Sequence, residues 1–190
     1  MAKVSALNER TKKTIPIKKL VYTGMMTAIT VVTSQIAFPL PSGIPVTLQT
    51  FSVSFCGYFG GFWGVAAVGV YLLLGLVGVP VFANFKGGFS ALAGVTGGYL
   101  IGFLPMALFC AIPIKVKNSV LRMVLKVLLG LVGLMLCHLL GALWFGSFSG
   151  CGFQKAFLTA SVPYLLKDVV SVAVGCLLSD LLKRRLKLDR

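Results

Sequence analysis

Long apolar blocks separated by short polar segments dominate the chain. No Asp, Glu, Lys or Arg occurs in the 66 residues from position 20 to position 85. Two further uncharged stretches, residues 87–114 and 127–154, contain 28 residues each. A helix that crosses a bilayer needs about 20 mostly apolar residues, so these stretches have room for several spans. The pattern predicts an all-α integral membrane protein.

Proline and glycine positions divide the apolar blocks into six predicted helices. These helices cover residues 20–38, a segment ending near 58, and residues 62–79, 94–114, 120–145 and 163–182. Pro39, Pro41 and Pro45 end the first helix, because proline lacks the N–H that a continuing helix needs. Residues 39–50 are therefore predicted as an irregular proline-rich loop. At membrane depth such backbone is tolerated only inside protein or beside a cavity.

The charged residues are few and strongly biased in position. They make up 12% of the chain, about half the fraction typical of a soluble domain. Of the 18 basic residues, 15 lie in residues 1–19, in residues 115–126 between the fourth helix and the first turns of the fifth, or in residues 183–190. Basic loops stay on the cytosolic side of a membrane, so six spans with both termini in the cytosol are predicted.

This distribution divides the chain into three parts. We expect a basic cytosolic arm (1–19), a six-helix membrane domain (20–182) and a basic cytosolic tail (183–190), in a multi-pass protein of a bacterial-type cell membrane. The net charge of +14 also raises the possibility of nucleic-acid binding. No recognisable nucleic-acid module or set of stacking aromatics accompanies the basic residues, so the lipid bilayer is the expected partner.

Glu9, Asp180 and Asp189 lie near the ends of the chain, and Asp168 is the acidic residue inside a predicted span away from its basic end. Because burying an ionisable group in a membrane is costly, such a residue is a functional candidate; an ion pair with Lys167 or Lys86 is the alternative. Lys86 is the only charge between residues 20 and 114. Together with nearby Asn84 and backbone amides it could surround an anion, and an ordinary loop lysine fits equally well.

Catalytic and metal-binding patterns are missing from the sequence. There is no GxxxxGK[ST], no HExxH and no Ser–His–acid arrangement, and the five cysteines lack CxxC spacing. His138 has no second ligand at metal spacing and is predicted to be a hydrogen-bonded packing residue. We therefore expect no enzyme activity, no metal and no cofactor.

Small residues recur every fourth position in two predicted helices. Gly94, Gly98 and Gly102 predict close packing of the fourth helix against another helix of the chain. Gly24 and Ala28 have the same spacing in the first helix. Their face is predicted either to pack internally or to contact another subunit.

Several linked segments resemble the BioY family, the biotin-specific substrate-binding (S) components of energy-coupling-factor (ECF) transporters. The segments are PLPSGIPVTLQT (39–50), YLLLGLVGVPVFANFKGGF (71–89), GVTGGYLIGF (94–103) and PYLLKD (163–168), in the family's order. This sequence differs from the family's pattern at four places. Val95 replaces a proline, Lys167 a glycine and Ser171 a lysine, and the short loop FGGFWG is uncharged. The Ser171 change leaves open whether Lys167 or Lys86 partners the ligand's charge.

The resemblance implies a six-helix fold with an outward-facing pocket that captures biotin and delivers it inward. It also implies an ECF coupling membrane subunit and ATPase subunits as partners, with the Gly24–Ala28 face as the expected docking surface. A solitary biotin permease and an S component for another small vitamin are the alternatives. The residues expected to bind the ligand are Thr47, Gln49, Asn84, Lys86, Tyr99, Tyr164, Lys167 and Asp168.

Each of these residues has an expected role. Asp168 should accept hydrogen bonds from the ureido N–H groups, and Asn84, Gln49 and Thr47 should add polar contacts. Lys86 should bind the valerate carboxylate, with Lys167 as its substitute. The rings of Tyr99 and Tyr164 should wall the bicyclic ring.

Overall fold

A computed structural model describes residues 17–38 and 44–186. The described residues form eight α-helices and one two-stranded antiparallel sheet. The elements are α1 (Ile17–Gln35), β1 (Ala37–Phe38), β2 (Val46–Thr47), α2 (Gln49–Gly60), α3 (Phe62–Val77), α4 (Phe89–Ala93), α5 (Gly97–Ala111), α6 (Ser119–Ser149), α7 (Phe153–Ala160) and α8 (Val162–Arg185). Most of the predicted basic arm and tail, together with Pro39 and Pro41, lie outside the described residues.

The six predicted helices correspond to α1, α2, α3, α5, α6 and α8, with shifted ends. The prediction that the first helix runs to residue 38 is wrong: α1 ends at Gln35, and Ala37–Phe38 pairs with Val46–Thr47. The loop after the first helix is therefore partly a short hairpin. Backbone N–H and C=O groups need hydrogen-bond partners, and the pairing of these two strands supplies them.

Two short helices, α4 and α7, lie in segments between the predicted helices. Each has eight residues or fewer, which is too short to produce an apolar block of span length. The longest helix, α6, begins after Asn118, whose side chain accepts hydrogen bonds from the backbone N–H groups of Val120 and Leu121. It ends before Gly150, which has the left-handed backbone that favours glycine there.

The stripe of glycines on α5 brings that helix against α6. A Cβ added at Gly98 would collide with Trp144 and the backbone of Leu140, and one at Gly102 would lie 2.9 Å from Cys137 Cα. The predicted internal packing is confirmed for these two glycines. Gly94 does not belong to the stripe, because α5 begins only at Gly97. A Cβ added at Gly94 would instead lie 3.0 Å from the backbone carbonyl oxygen of Ser90, in α4.

One end of the helix bundle collects basic residues. Lys126 Nζ lies 2.6 Å from Asp180 Oδ1, which joins the start of α6 to the end of α8. Arg184 donates to Ser119 Oγ across the same pair of helices at 3.0 Å. The hydroxyl of Tyr58, near the end of α2, donates to the backbone carbonyl of Lys126. The start of α6 and the ends of α2 and α8 therefore lie together.

The surface of the bundle is rich in large apolar side chains. Leu73 on α3, Val132 on α6 and Leu177 on α8 are each about half exposed, and exposed apolar surface of this extent marks a membrane or partner contact. Among the described residues, α6 is the one helix that is long and apolar enough to cross a membrane by length and composition, while α3 and α5 are apolar but shorter. These features are consistent with a membrane protein.

Candidate ligand-binding site

A cavity lies at the end of the bundle away from the basic cluster. Its walls come from β2, the first turn of α2, the segment between α3 and α5, and the adjoining parts of α5, α6 and α8. All eight predicted ligand-binding residues lie on its wall: Thr47, Gln49, Asn84, Lys86, Tyr99, Tyr164, Lys167 and Asp168.

A buried charge cluster forms one wall of the cavity. Asp168, only 5% exposed, lies in the second turn of α8. Lys167 Nζ contacts Asp168 Oδ1 and donates to the backbone carbonyl of Thr47 at 2.7 Å. His138 Nε2 on α6 lies 3.2 Å from Asp168 Oδ2. The ion pair with Lys167 is therefore present, and both carboxylate oxygens face a nitrogen of the protein.

His138 is a cavity residue to which the sequence analysis gave no role in the site. It was expected to be a packing residue, and it is indeed buried, but it lines the cavity and faces Asp168. Within the described part of the chain, its buried Nδ1 has no hydrogen-bond partner. The available signal was the presence of a histidine in the stretch 127–154, which has no Asp, Glu, Lys or Arg. Nothing in the spacing connects residue 138 with residue 168.

Two tyrosines use their hydroxyl groups to join elements around the cavity. Tyr99 Oη donates to the backbone carbonyl of Ala160 at 2.6 Å and lies 2.9 Å from Ser161 Oγ. Tyr164 Oη donates to the backbone carbonyl of Ile44 at 2.5 Å. With these hydroxyl groups engaged by the protein, the aromatic rings are the parts suited to wall a ligand.

Gln49 is also engaged within the protein. Its Oε1 accepts a hydrogen bond from Thr47 Oγ1 at 3.0 Å, and its Nε2 donates to Tyr71 Oη at 2.5 Å. These bonds orient the buried amide and leave its second N–H as the group free to donate. Gln49 therefore has less capacity for a ligand than the sequence suggested.

The segment between α3 and α4 forms the rim of the cavity. Asn84 and Lys86 are exposed there, in contrast to the buried Asp168. Asn84 and Phe85 both have left-handed backbone, with φ of 59° and 54°. The turn is closed by Phe82 N, which donates to the carbonyl of Lys86 at 2.9 Å. The rim is thus a tight, irregular turn that presents an amide and a cation.

A match to a known protein family identifies the family of this chain. The profile of the BioY family matches residues 7–188, nearly the whole chain. The chain belongs to the BioY family. The resemblance seen in the linked segments is thereby confirmed.

Curated BioY relatives extend over the same length. The biotin transporter BioY of Thermotoga maritima is 36% identical over 168 residues, covering 88% of this chain and 96% of the relative. The probable biotin transporter BioY of Pyrococcus horikoshii is 34% identical over 167 residues, covering 87% and 96%. Both are transporters, in agreement with the expectation that this BioY protein is not an enzyme.

The fold of this BioY protein is also similar to a solved structure. That structure is the S-component for biotin from an ECF-type ABC transporter, with a TM-score of 0.76 and 22% sequence identity. The match covers 88% of this chain and 92% of the other. At this identity the likeness concerns the fold, and it supports the all-helical architecture.

Proposed function

We propose that this protein binds biotin in the cavity and serves as the substrate-binding subunit that carries it across the membrane. The observation that supports this most strongly is the buried cluster of Asp168, His138 and Lys167 on the wall of an otherwise largely apolar cavity in a BioY-family chain. Biotin offers a ureido ring with two N–H donors and one carbonyl, an apolar thioether body and a carboxylate. A carboxylate acceptor, apolar walls and a separate cation match these three parts.

The ureido ring fits best beside Asp168. An ionised carboxylate has about four acceptor positions, so the contacts with Lys167 and His138 leave capacity for ligand N–H groups. Bonds to a charged acceptor are stronger than those to a neutral one. Asn84 and the free N–H of Gln49 add directional contacts, while the rings of Tyr99 and Tyr164 enclose the bicyclic body.

Lys86 is the better candidate for the carboxylate of the ligand. Lys167 is already engaged by Asp168 and by the backbone of Thr47. The Lys86 side chain stands at the exposed rim with no ion pair to any residue in 17–38 or 44–186. A ligand that binds with its ring beside Asp168 and its chain toward the rim would bring its carboxylate to Lys86.

Isothermal titration of the purified protein with biotin tests the proposal directly. We expect saturable binding of one biotin per chain, and weaker binding of biotin amide, because the amide lacks the charge that Lys86 would attract. Thiamine and riboflavin serve as control ligands. Saturable binding of either vitamin without binding of biotin would favour an S component for another vitamin and would contradict the proposal.

We further propose that six helices, α1, α2, α3, α5, α6 and α8, span the membrane with both termini in the cytosol. The clustering of basic residues at the end of the bundle opposite the cavity supports this orientation, because basic ends stay inside. The cavity would then open to the outside, in a multi-pass protein of the cell membrane.

Reporter fusions at residues 5 and 188 check this topology. Both fusions should give the cytosolic signal, and a fusion at residue 86 should give the external one. Opposite signals from the two termini would contradict an even number of spans.

For the partner, we propose an ECF coupling membrane subunit that docks on α1 and acts with ATPase subunits. Gly24 and Ala28 are exposed, and a Cβ added at Gly24 would meet nothing within 4 Å. They line an apolar groove between α1 and α3 that includes Val31, Val70 and Leu74. An open small-residue face favours contact with another helix. A solitary permease, the remaining alternative, would have no need of this face.

Replacing both Gly24 and Ala28 with leucine should therefore lower biotin uptake in cells several-fold while leaving the biotin affinity of the purified protein unchanged. The two leucines would fill the groove and keep a partner helix at a distance. Val132→Leu on α6, an exposed position outside the groove, is the matched control and should leave uptake unchanged. Equal loss of affinity and uptake would assign the face to internal packing, and full uptake would favour the solitary permease.

A further inference from the structure

The rim of the cavity adopts a backbone conformation that its own sequence does not favour. Asn84 and Phe85 have positive φ in succession, and residues with a bulky side chain rarely adopt this conformation. Such backbone persists only where surrounding contacts determine it. Asn84 and Lys86 reach the cavity from this turn. Contacts from another part of the chain must therefore stabilise it.

Gln35, the last residue of α1, makes several of those contacts. Its Nε2 lies 3.2 Å from the backbone carbonyl oxygens of both Val81 and Phe82. Its Oε1 accepts a hydrogen bond from the backbone N–H of Phe85 at 3.0 Å. One side chain therefore satisfies backbone groups on both sides of the left-handed Asn84.

The rest of α1 is attached differently. Thr27 Oγ1 lies 3.1 Å from the backbone carbonyl of Ala67 on α3, which joins two helices but does not reach the rim. Ser34 Oγ donates to the carbonyl of Val81 at 2.6 Å, at the start of the rim only. Gln35 is not among the residues that line the cavity, so any effect it has on a ligand must pass through the rim.

We propose that Gln35 is a positioning residue that holds residues 81–86 in the arrangement that presents Asn84 and Lys86 to the ligand. The inference rests on the proposed function, because the ligand in question is biotin. Without the Gln35 bonds, the rim populates other arrangements, and the apparent affinity falls in proportion to the fraction of molecules that remain competent. A competent fraction of about one tenth corresponds to a roughly tenfold higher Kd.

Biotin titration of Gln35→Leu and Gln35→Glu, both as the full-length purified protein, tests the proposal. The glutamate variant keeps the volume and one acceptor, but it places a carboxylate oxygen beside two carbonyl oxygens. We expect each variant to raise the Kd roughly tenfold. Thr27→Val is the matched control, because it removes a buried bond of the same helix without touching the rim, and its Kd should be unchanged.

A double-mutant cycle separates positioning from general loss of structure. In a background with both Asn84→Ala and Lys86→Ala, the rim has lost the two polar side chains that it is proposed to present to the ligand. Gln35→Leu should then change the Kd less than about twofold, since coupled residues are not additive. The same roughly tenfold loss in both backgrounds would overturn the proposal, as would wild-type affinity for Gln35→Leu.

Thiol labelling measures how accessible the rim is to solvent in the absence of a ligand. Val81 is buried and is not among the cavity-lining residues, so Val81→Cys in a Cys151→Ser background should react slowly with a polar maleimide. Adding Gln35→Leu should increase the labelling rate about tenfold or more, and adding Thr27→Val should not. An unchanged rate would overturn the positioning role. Failure of the wild type to bind biotin would instead overturn the proposed function, while the labelling rate would still decide whether Gln35 holds the rim.

Discussion

Replacing Asp168 with asparagine should weaken biotin binding at least tenfold while leaving the amount of folded protein in the membrane unchanged. The carboxylate is buried and contacted by Lys167 and His138. Truncating or neutralising one partner of a buried, charge-assisted bond typically costs about 2–5 kcal/mol, a loss of roughly 30- to several-thousand-fold in affinity. Isothermal titration of the detergent-purified variant measures the change.

Asp180→Asn provides the matched control for this substitution. Asp180 lies on the same helix and is also paired with a lysine, Lys126, but it belongs to the opposite end of the bundle. Its neutralisation should leave the biotin affinity within about twofold of the wild type, because the Lys126–Asp180 pair lies at the end of the bundle opposite the cavity and neither residue lines it. Wild-type affinity for Asp168→Asn would remove Asp168 from the binding site and leave it as a structural partner of Lys167.

Replacing His138 with leucine should have the second-largest effect, a loss of roughly five- to 150-fold in biotin affinity. Leaving a buried polar group without its partner costs about 1–3 kcal/mol. The substitution removes the nitrogen that faces Asp168 Oδ2 and the unpartnered Nδ1 on the cavity side of α6. His138→Gln retains a donor that can reach the carboxylate, so it should recover part of the loss. Titration of both variants with biotin gives the comparison.

Equal, wild-type affinities in the two His138 variants would return this residue to the packing role that the sequence suggested. Equal losses in both would mean that the imidazole itself, rather than a donor to Asp168, is required. Partial recovery with glutamine is the outcome expected from the geometry, because the amide N–H can replace Nε2 but cannot fill the volume of the ring.

The apolar blocks of the sequence anticipated the helices well and the short connections poorly. A block of span length is readable because hydropathy accumulates over about 20 residues. The five residues of α4 and the eight of α7 are too short for such a signal. The hairpin between β1 and β2 was missed for a related reason: its residues become strands only by pairing with each other across residues 39–45.

The cavity residues were anticipated because the linked segments of the BioY resemblance contain them. Thr47, Asn84, Tyr99 and Asp168 each lie in one of those segments, and all four line the same cavity. Their roles toward a ligand stay predictions. The sequence does not show which hydrogen-bonding groups of these residues are already used within the protein. Gln49, for example, is occupied by Tyr71 and Thr47.

What the sequence determined by itself is local in character. It gave the positions of the apolar helices, the bias of the basic residues and the presence of Asp168 in the last span, away from the basic end. What the tertiary structure decided is which helices face each other and at what rotation. Close approach of α5 and α6 at Gly98 and Gly102 sets that rotation in part. The contacts of His138 with Asp168 and of Gln35 with the rim join residues 30 to 50 positions apart. Hydropathy and spacing describe one helix at a time, and such contacts arise only when several helices have packed together.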